Sequence, residues 1–264
     1  MPVKKIDKVK RFAGHLEWAR KTKEGVQPIT ELDPNITIDE AYSIQLHTIH
    51  EMVEDGQTIT GKKIGLTSKA VQESLGVNEP DYGHLLDGMR IENGATVSFT
   101  RLLQPKIEGE LAFILKDDLI GPNVSVLDVL RATDVIVPAI EIVDSRIKDW
   151  NITLADTVAD NASSGFYVLG EQAKKIEDID IKQIGMAVYK NNRLMNTGAG
   201  AAALGNPAKC VAWLANKLAT YDIHLKAGEV ILSGALSAMV DAEPGDHFSV
   251  KFAELGEVSV SFAK

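Results

Sequence analysis

Gln104-Pro105-Lys106-Ile107-Glu108-Gly109-Glu110-Leu111-Ala112-Phe113-Ile114-Leu115 is the stretch from which the fold can be read. Taken with a period of two, it puts Leu111, Phe113 and Leu115 on one face of a strand and Lys106, Glu108, Glu110 and Ala112 on the other. Two carboxylates side by side on an otherwise apolar strand repel one another unless a cation lies between them. Hard divalent cations such as Mg²⁺ take oxygen ligands of this kind. A second anomaly lies downstream, in Val135-Ile136-Val137-Pro138-Ala139-Ile140-Glu141-Ile142-Val143, where one Glu is embedded in an apolar run. A buried carboxylate is normally paired or metal-bound. Glu108, Glu110 and Glu141 are therefore a candidate metal site. A solvated sheet face, or carboxylates bridged to Lys and Arg, would give the same two segments.

The rest of the chain bounds the choice. Its 264 residues are 45% hydrophobic and 25% charged, which is the composition of an ordinary globular protein with ample core. A net charge of −9 argues against an extended nucleic-acid surface but leaves room for a small anion held by local positive charge. The single Cys210 excludes an internal disulfide and a cysteine zinc site. No apolar run is long enough to span a bilayer and no secretory h-region follows Met1, so no membrane contact and a cytoplasmic location are expected.

Working outward towards the N-terminus, Lys4 to Gly25 reads as an amphipathic helix with Val9, Phe12, Leu16 and Ala19 at helical spacing. Thr37-Ile38-Asp39-Glu40 is a capping box opening a helix with Tyr42, Leu46, Ile49 and Val53 on one stripe and an end near Gly56. His47 and His50 on it lack the flanking Glu of a zinc helix and read as exposed. Gly61-Lys62-Lys63-Ile64-Gly65 is a short basic strand whose glycines permit close approach, with Lys63 able to reach a site. Pro80-Asp81-Tyr82-Gly83 has turn chemistry, and Leu85 and Leu86 read as the anchor of a loop over a pocket. This reading divides the chain into a helical N-terminal region, 1–60, and a β-rich catalytic body, 61–264.

Towards the C-terminus, Ser125 to Asp128 caps a short helix leading into the Glu141 strand, which ends in the charged run Asp144 to Trp150. Asp156 to Gly165 is rich in small polar groups with little structural purpose. It reads as a site-building loop at strand ends or as plain surface loop, about evenly. Gly198-Ala199-Gly200-Ala201-Ala202-Ala203 fits a dinucleotide pattern, but a polar hairpin precedes it and no βαβ unit surrounds it. Asn206-Pro207 starts a core helix with Val211, Leu214 and Leu218 buried and Cys210 as a small core residue. Gly228 to Gly234 is a buried strand, and Phe248 to Phe262 alternates as a closing hairpin. The residues alone point to a divalent-metal enzyme acting on a small anion.

Several motifs, in order along nearly the whole chain, resemble the 2-keto-4-pentenoate hydratases. They are Gly61 to Lys69, Leu75-Gly76-Val77 with Pro80 to Gly83, Gln104 to Glu110, Asp144 to Trp150, Asp156 to Ser163, Thr197 to Gly205 and Gly228 to Gly234. The resemblance implies an α+β fold with the β-rich roll of the fumarylacetoacetate hydrolase superfamily, and a Mg²⁺ or Mn²⁺ ion on Glu108, Glu110 and Glu141. It implies Lys63 and Asp81 as catalytic residues and Arg146, Ser163 and Gly234 as substrate-binding residues. The implied substrate is a small anionic 2-hydroxydienoate, hydrated in aromatic meta-cleavage degradation, with Lys63 lowered in pKa beside the dication and able to shuttle a proton. A homo-oligomer, and association with a homologous decarboxylase, are implied as well.

The rival activities are 4-oxalocrotonate decarboxylase and 2-oxohept-4-ene-1,7-dioate hydratase, and the non-enzymatic rival is a silent oligomerisation partner. Val71 to Gly83, VQESLGVNEPDYG, is similar to the hydratase pattern, as is Gly234 to Met239. Decarboxylases of this kind carry Ile in place of the acid before Tyr82. Hydration needs a group to place water beside C4, and Asp81 suits that task.

Overall fold

The computed structural model describes residues 3–264. Three helices come first: α1 (Val3–Thr22), α2 (Ile29–Leu32) and α3 (Ile38–Glu54). Strand β1 (Ile59–Gly65), helix α4 (Lys69–Leu75) and strands β2 (Asp81–Leu86), β3 (Arg90–Ile91), β4 (Thr96–Val97) and β5 (Pro105–Leu115) follow. Next are α5 (Val126–Ala132), β6 (Thr133–Asp144), α6 (Leu154–Ala159), β7 (Ser164–Leu169), β8 (Lys174–Lys175), β9 (Gly185–Lys190) and β10 (Arg193–Ala199). The chain closes with α7 (Pro207–Ala219), β11 (Val230–Leu232), β12 (Val240–Asp241), β13 (His247–Phe252) and β14 (Gly256–Phe262). The α+β class expected from the sequence is the class observed.

The strands form two sheets. The larger runs β2-β1-β11-β5-β6-β7-β3, with β12 beside β5 and β8 beside β6; the smaller runs β10-β9-β13-β14-β4. On β5 the expected alternation holds. Ile107, Leu111 and Phe113 join Ile140 and Ile142 of β6 in the main core, which also takes in Val250, Val258 and Val260 of the smaller sheet. Gly109 belongs to this face, where a Cβ would lie only 2.8 Å from Val250 Cγ1 and collide with Met186 Sδ. The two sheets therefore pack tightly behind the two glutamates.

The other face of the larger sheet is concave. Leu85 of β2 and Tyr167 of β7 share a small apolar cluster with Ala112, Ala139 and Leu232, so the two ends of the sheet curl round towards each other. Asn161 ties them: its side chain accepts from the His84 N–H at 2.8 Å and donates to the His84 carbonyl at 2.9 Å. A side-chain amide here supplies the bonds that a neighbouring strand would otherwise give.

The N-terminal helices cover the outside. Phe12, Leu16 and Ala19 of α1 are buried, and the capping box of α3 forms, with Thr37 Oγ1 accepting from Glu40 N–H and Glu40 Oε2 from Thr37 N–H. On α3 the buried stripe differs from the expected one: Gln45 is buried while Val53 is exposed. The Gln45 amide donates to the carbonyls of Tyr82 and Val158, docking the helix on β2 and α6.

Two local readings are corrected. Pro80 to Gly83 is no turn and Leu85–Leu86 no loop anchor, because Asp81–Leu86 is a buried strand antiparallel to β1, with Tyr82 stacked on Tyr42. Asp156 to Gly165 is no surface loop either: helix α6 and a 3₁₀ turn occupy it. Its acids are structural, since Asp156 accepts from Thr30 and Thr153, and Asp160 from Arg146, whereas Thr157 and Ser163 lie towards Asp81. Short polar side chains that bond to backbone look the same in sequence whether they cap a helix or line a loop.

Candidate metal centre

Strand register assembles the carboxylates. Glu108 faces Glu141 across the β5–β6 pair, and Glu110 follows two residues along the same concave face. One oxygen from each of the three lies within 4.8 Å of the others. Glu110 and Glu141 are buried, and Glu108 alone keeps contact with solvent.

These groups are under-satisfied. Glu110 Oε2 accepts from the Gly234 N–H at 2.7 Å, but Glu110 Oε1 and both oxygens of Glu141 have no hydrogen-bond partner. Lys63 Nζ lies 3.0 Å from Glu141 Oε1 as an ion pair without hydrogen-bond alignment. Burial, followed by the charge of Glu141, pushes the Glu108 carboxyl up to about 7 and that of Glu110 well above the carboxylate range. One ammonium facing three carboxylates leaves a negative, desolvated, oxygen-only donor set. The residues fit a hard divalent cation such as Mg²⁺.

Lys63 and Asp81 stand beside the cluster. On β1, Lys63 pairs in register with Gly83, and Gly65 with Asp81, so both side chains share the concave face. A Cβ on Gly65 would collide with Asp81 Oδ1 and lie 3.6 Å from Lys63 Nζ, so the missing side chain makes room for this pair. Burial opposes the charge on Lys63, but Glu141, Asp81, Glu108 and Glu110 outweigh it and raise the pKa of the amine above its ordinary value. The three glutamates that raise it here are those expected to hold the dication, so this direction belongs to the metal-free cluster. Burial raises the Asp81 carboxyl, with Lys63 opposing, and Asp81 Oδ1 carries no hydrogen bond.

Of the residues expected to hold substrate, two adjoin this cluster. The positive φ of Gly234 (98°) is compatible with its amide reaching Glu110, and a Cβ there would lie 2.9 Å from that of Thr67. Ser163 Oγ lies 3.3 Å from Thr157 Oγ1, which in turn donates to Asp81 Oδ2 at 3.4 Å. Arg146 is committed elsewhere: its guanidinium donates to Asp160 Oδ1, the Asp160 carbonyl and the Ser164 carbonyl.

Sequence reasoning passed over Thr157 and Thr67, which pack the site from helix α6 and from the loop after β1. It also left Lys62 unexplained. Strand alternation sends Lys62 to the face opposite Lys63, where it forms a buried ion pair with Glu229. That alternation was available in the sequence.

Residues 68–263 match the family model described as fumarylacetoacetate (FAA) hydrolase C-terminal. The chain belongs to the fumarylacetoacetate hydrolase family. It is 47% identical over 239 residues to a 2-hydroxyhexa-2,4-dienoate hydratase of Comamonas testosteroni, covering 90% of each chain. It is 48% identical over 216 residues to a 2-hydroxypent-2,4-dienoate hydratase of Pseudomonas putida, covering 81% of this chain and 97% of that one. Among solved structures, 4-oxalocrotonate decarboxylase from Pseudomonas putida G7, complexed with magnesium and adipate, matches with a TM-score of 0.95 at 36% identity over 97% of both chains.

Proposed function

We propose that the chain is a divalent-metal-dependent hydratase that adds water to 2-hydroxypenta-2,4-dienoate, giving 4-hydroxy-2-oxopentanoate, in the meta-cleavage degradation of aromatic compounds. The observation that carries this reading is the trio Glu108, Glu110 and Glu141, two of them buried, with Lys63 and Asp81 against it. Similarity to dienoate hydratases at 47–48% identity supports the substrate class.

In this reading Glu108, Glu110 and Glu141 hold Mg²⁺ or Mn²⁺. The ion supplies Lewis-acid stabilisation of negative charge on the substrate's 2-oxygen. Lys63, 3.0 Å from Glu141, is placed to relay a proton from the 2-hydroxyl to C5 as the dienol becomes ketone at C2 and CH₃ at C5. Asp81, through the oxygen that carries no hydrogen bond, positions and deprotonates the water that adds at C4, after which C3 takes a proton. Gly234 orients Glu110, and Thr157 with Ser163 orients Asp81. The same reading makes the enzyme a cytoplasmic homo-oligomer able to associate with a homologous decarboxylase.

The close match to the decarboxylase structure keeps decarboxylation as the second reading. Product analysis separates them, using purified protein, Mg²⁺ and, in turn, 2-hydroxypenta-2,4-dienoate, 2-oxohept-4-ene-1,7-dioate and 4-oxalocrotonate. Loss of dienol absorbance with formation of 4-hydroxy-2-oxopentanoate is expected. Carbon dioxide released from 4-oxalocrotonate while the pentadienoate is untouched would establish the decarboxylase instead, and no turnover of any of the three would leave a silent partner.

A further inference from the structure

A cavity of about 430 Å³ lies between the N-terminal helices and the body, and the carboxylate trio does not line it. Arg20, Lys23, Arg101 and Arg146 contribute four cations to its wall, against Glu17, Asp144 and Asp160. The three acids are already engaged. Glu17 binds the Arg20 guanidinium and pairs with Lys21, Asp160 binds Arg146, and Asp144 accepts from the backbone N–H groups of Leu103 and Gln104. Lys23 and Arg101 have no carboxylate within ion-pair distance among the described residues, and Arg101 instead lies over the Phe166 ring at 4.3 Å. In a chain of net charge −9, two uncompensated cations on one cavity wall are a local reversal of the field.

The loop carrying Lys23 is fixed in place. Lys23 adopts a left-handed φ of 62°, and its N–H bonds to the Ala19 carbonyl at 2.9 Å. Three residues on, Val26 exchanges backbone bonds with Arg146 and Lys148. A non-glycine residue held left-handed costs free energy that the surroundings must offset. Partial burial lowers the proton affinity of Lys23, with Asp144 opposing and Arg20, Arg146 and Arg101 adding to the effect, as expected where a counter-anion is lacking. Leu16, Ile49, Met52, Leu86 and Met89 add apolar surface to the wall, alongside polar groups such as Thr48 and Gln57. Cations together with a set of apolar side chains in one cavity match a molecule with a charged end and a hydrophobic body.

We propose that this cavity is a binding site, separate from the carboxylate trio, for a small organic carboxylate with an apolar body, its anionic end held by Lys23 and Arg101. The wall is continuous in sequence with residues beside the carboxylate trio. Asp160 in its wall is followed by Asn161, which holds β2, and by Ser163, which adjoins Thr157 and Asp81.

Benzoate titrated calorimetrically into the full chain, with chelator present to keep the carboxylate trio metal-free, tests the assignment. Saturable one-site binding is expected. Replacing both Lys23 and Arg101 with Ala should weaken it by about tenfold or more, the scale of losing one charge-assisted hydrogen bond. The charge-preserving Lys23→Arg should keep it, and so should Lys63→Ala. Both cations are surface groups, so an unchanged circular dichroism spectrum is expected for the double variant. Absence of binding, equal affinity in the double variant, or loss in Lys63→Ala instead would overturn the assignment. Inorganic phosphate binding as tightly as benzoate would overturn the organic class.

Discussion

Glu110 does two things at once, and they can be separated. Its Oε2 accepts from Gly234 N–H, a bond that an amide oxygen can also accept, while its charge has no partner but a cation. Glu110→Gln is therefore expected to leave the melting temperature of the metal-free protein unchanged or higher. Mn²⁺ or Mg²⁺ affinity should fall by more than about 100-fold, the upper end of what losing a mere support of a ligand costs. Calorimetric titration with either ion reads this directly, and undiminished affinity would remove Glu110 from the site. Lys63 is the complementary case, a cation among carboxylates rather than a ligand. Lys63→Ala should retain the metal and lose about 10²–10⁴-fold in turnover. A rate within twofold of the parent would show that the ammonium takes no part in the chemistry.

At the scale of the element, β5 carries chemistry on one face and packing on the other, and Gly109 is where the two meet. The residue sits between the two glutamates but points at the smaller sheet, where a Cβ would crowd Met186 and Val250. Met186 can swing aside and the β-branched Val250 much less. Gly109→Ala is expected to cost about 1–3 kcal/mol by overpacking, seen as a lower denaturant midpoint at unchanged slope. It should also disturb metal affinity, because any shift that relieves the clash moves Glu108 and Glu110. A variant of parental stability and affinity would show that the inter-sheet gap is looser than this geometry.

For the whole molecule, the buried polar pair His84–Gln45 joins the curled sheet to the outer helices. Burial, with Lys62 nearby adding to it, depresses the His84 imidazole to about 3 from an ordinary 6.5. The sign follows from linkage: between pH 3 and 6.5 the unfolded chain binds a proton that the folded chain does not. The contribution of His84 to stability is thus fully present above pH 6.5 and is lost as the pH falls towards 3. It amounts to on the order of a few kcal/mol. Other acid-labile groups are common to parent and variant, so the difference between wild type and His84→Gln isolates this term. The variant should lose stability less steeply across the window, and parallel loss in both proteins would refute the assignment.

The sequence by itself determined the elements whose signals are local. Period-two alternation placed β5 and its two faces, the Thr37–Glu40 box opened α3, and Asn206–Pro207 opened α7, because each depends only on neighbours along the chain. The three glutamates were legible for the same reason: a carboxylate in an apolar strand is anomalous wherever that strand goes. The tertiary structure alone decided their meeting, through the β5–β6 register that sets Glu108 opposite Glu141. It likewise decided that Asp81–Leu86 is a strand, since the Tyr42 stack and the pairing with β1 override the local turn preference of Pro-Asp-Tyr-Gly. The roles of Asp156, Asp160 and Asn161 were settled the same way, because each bonds to groups many residues distant. Local propensity is written into adjacent residues, whereas the partner of a buried polar group is chosen only when the chain folds back on itself.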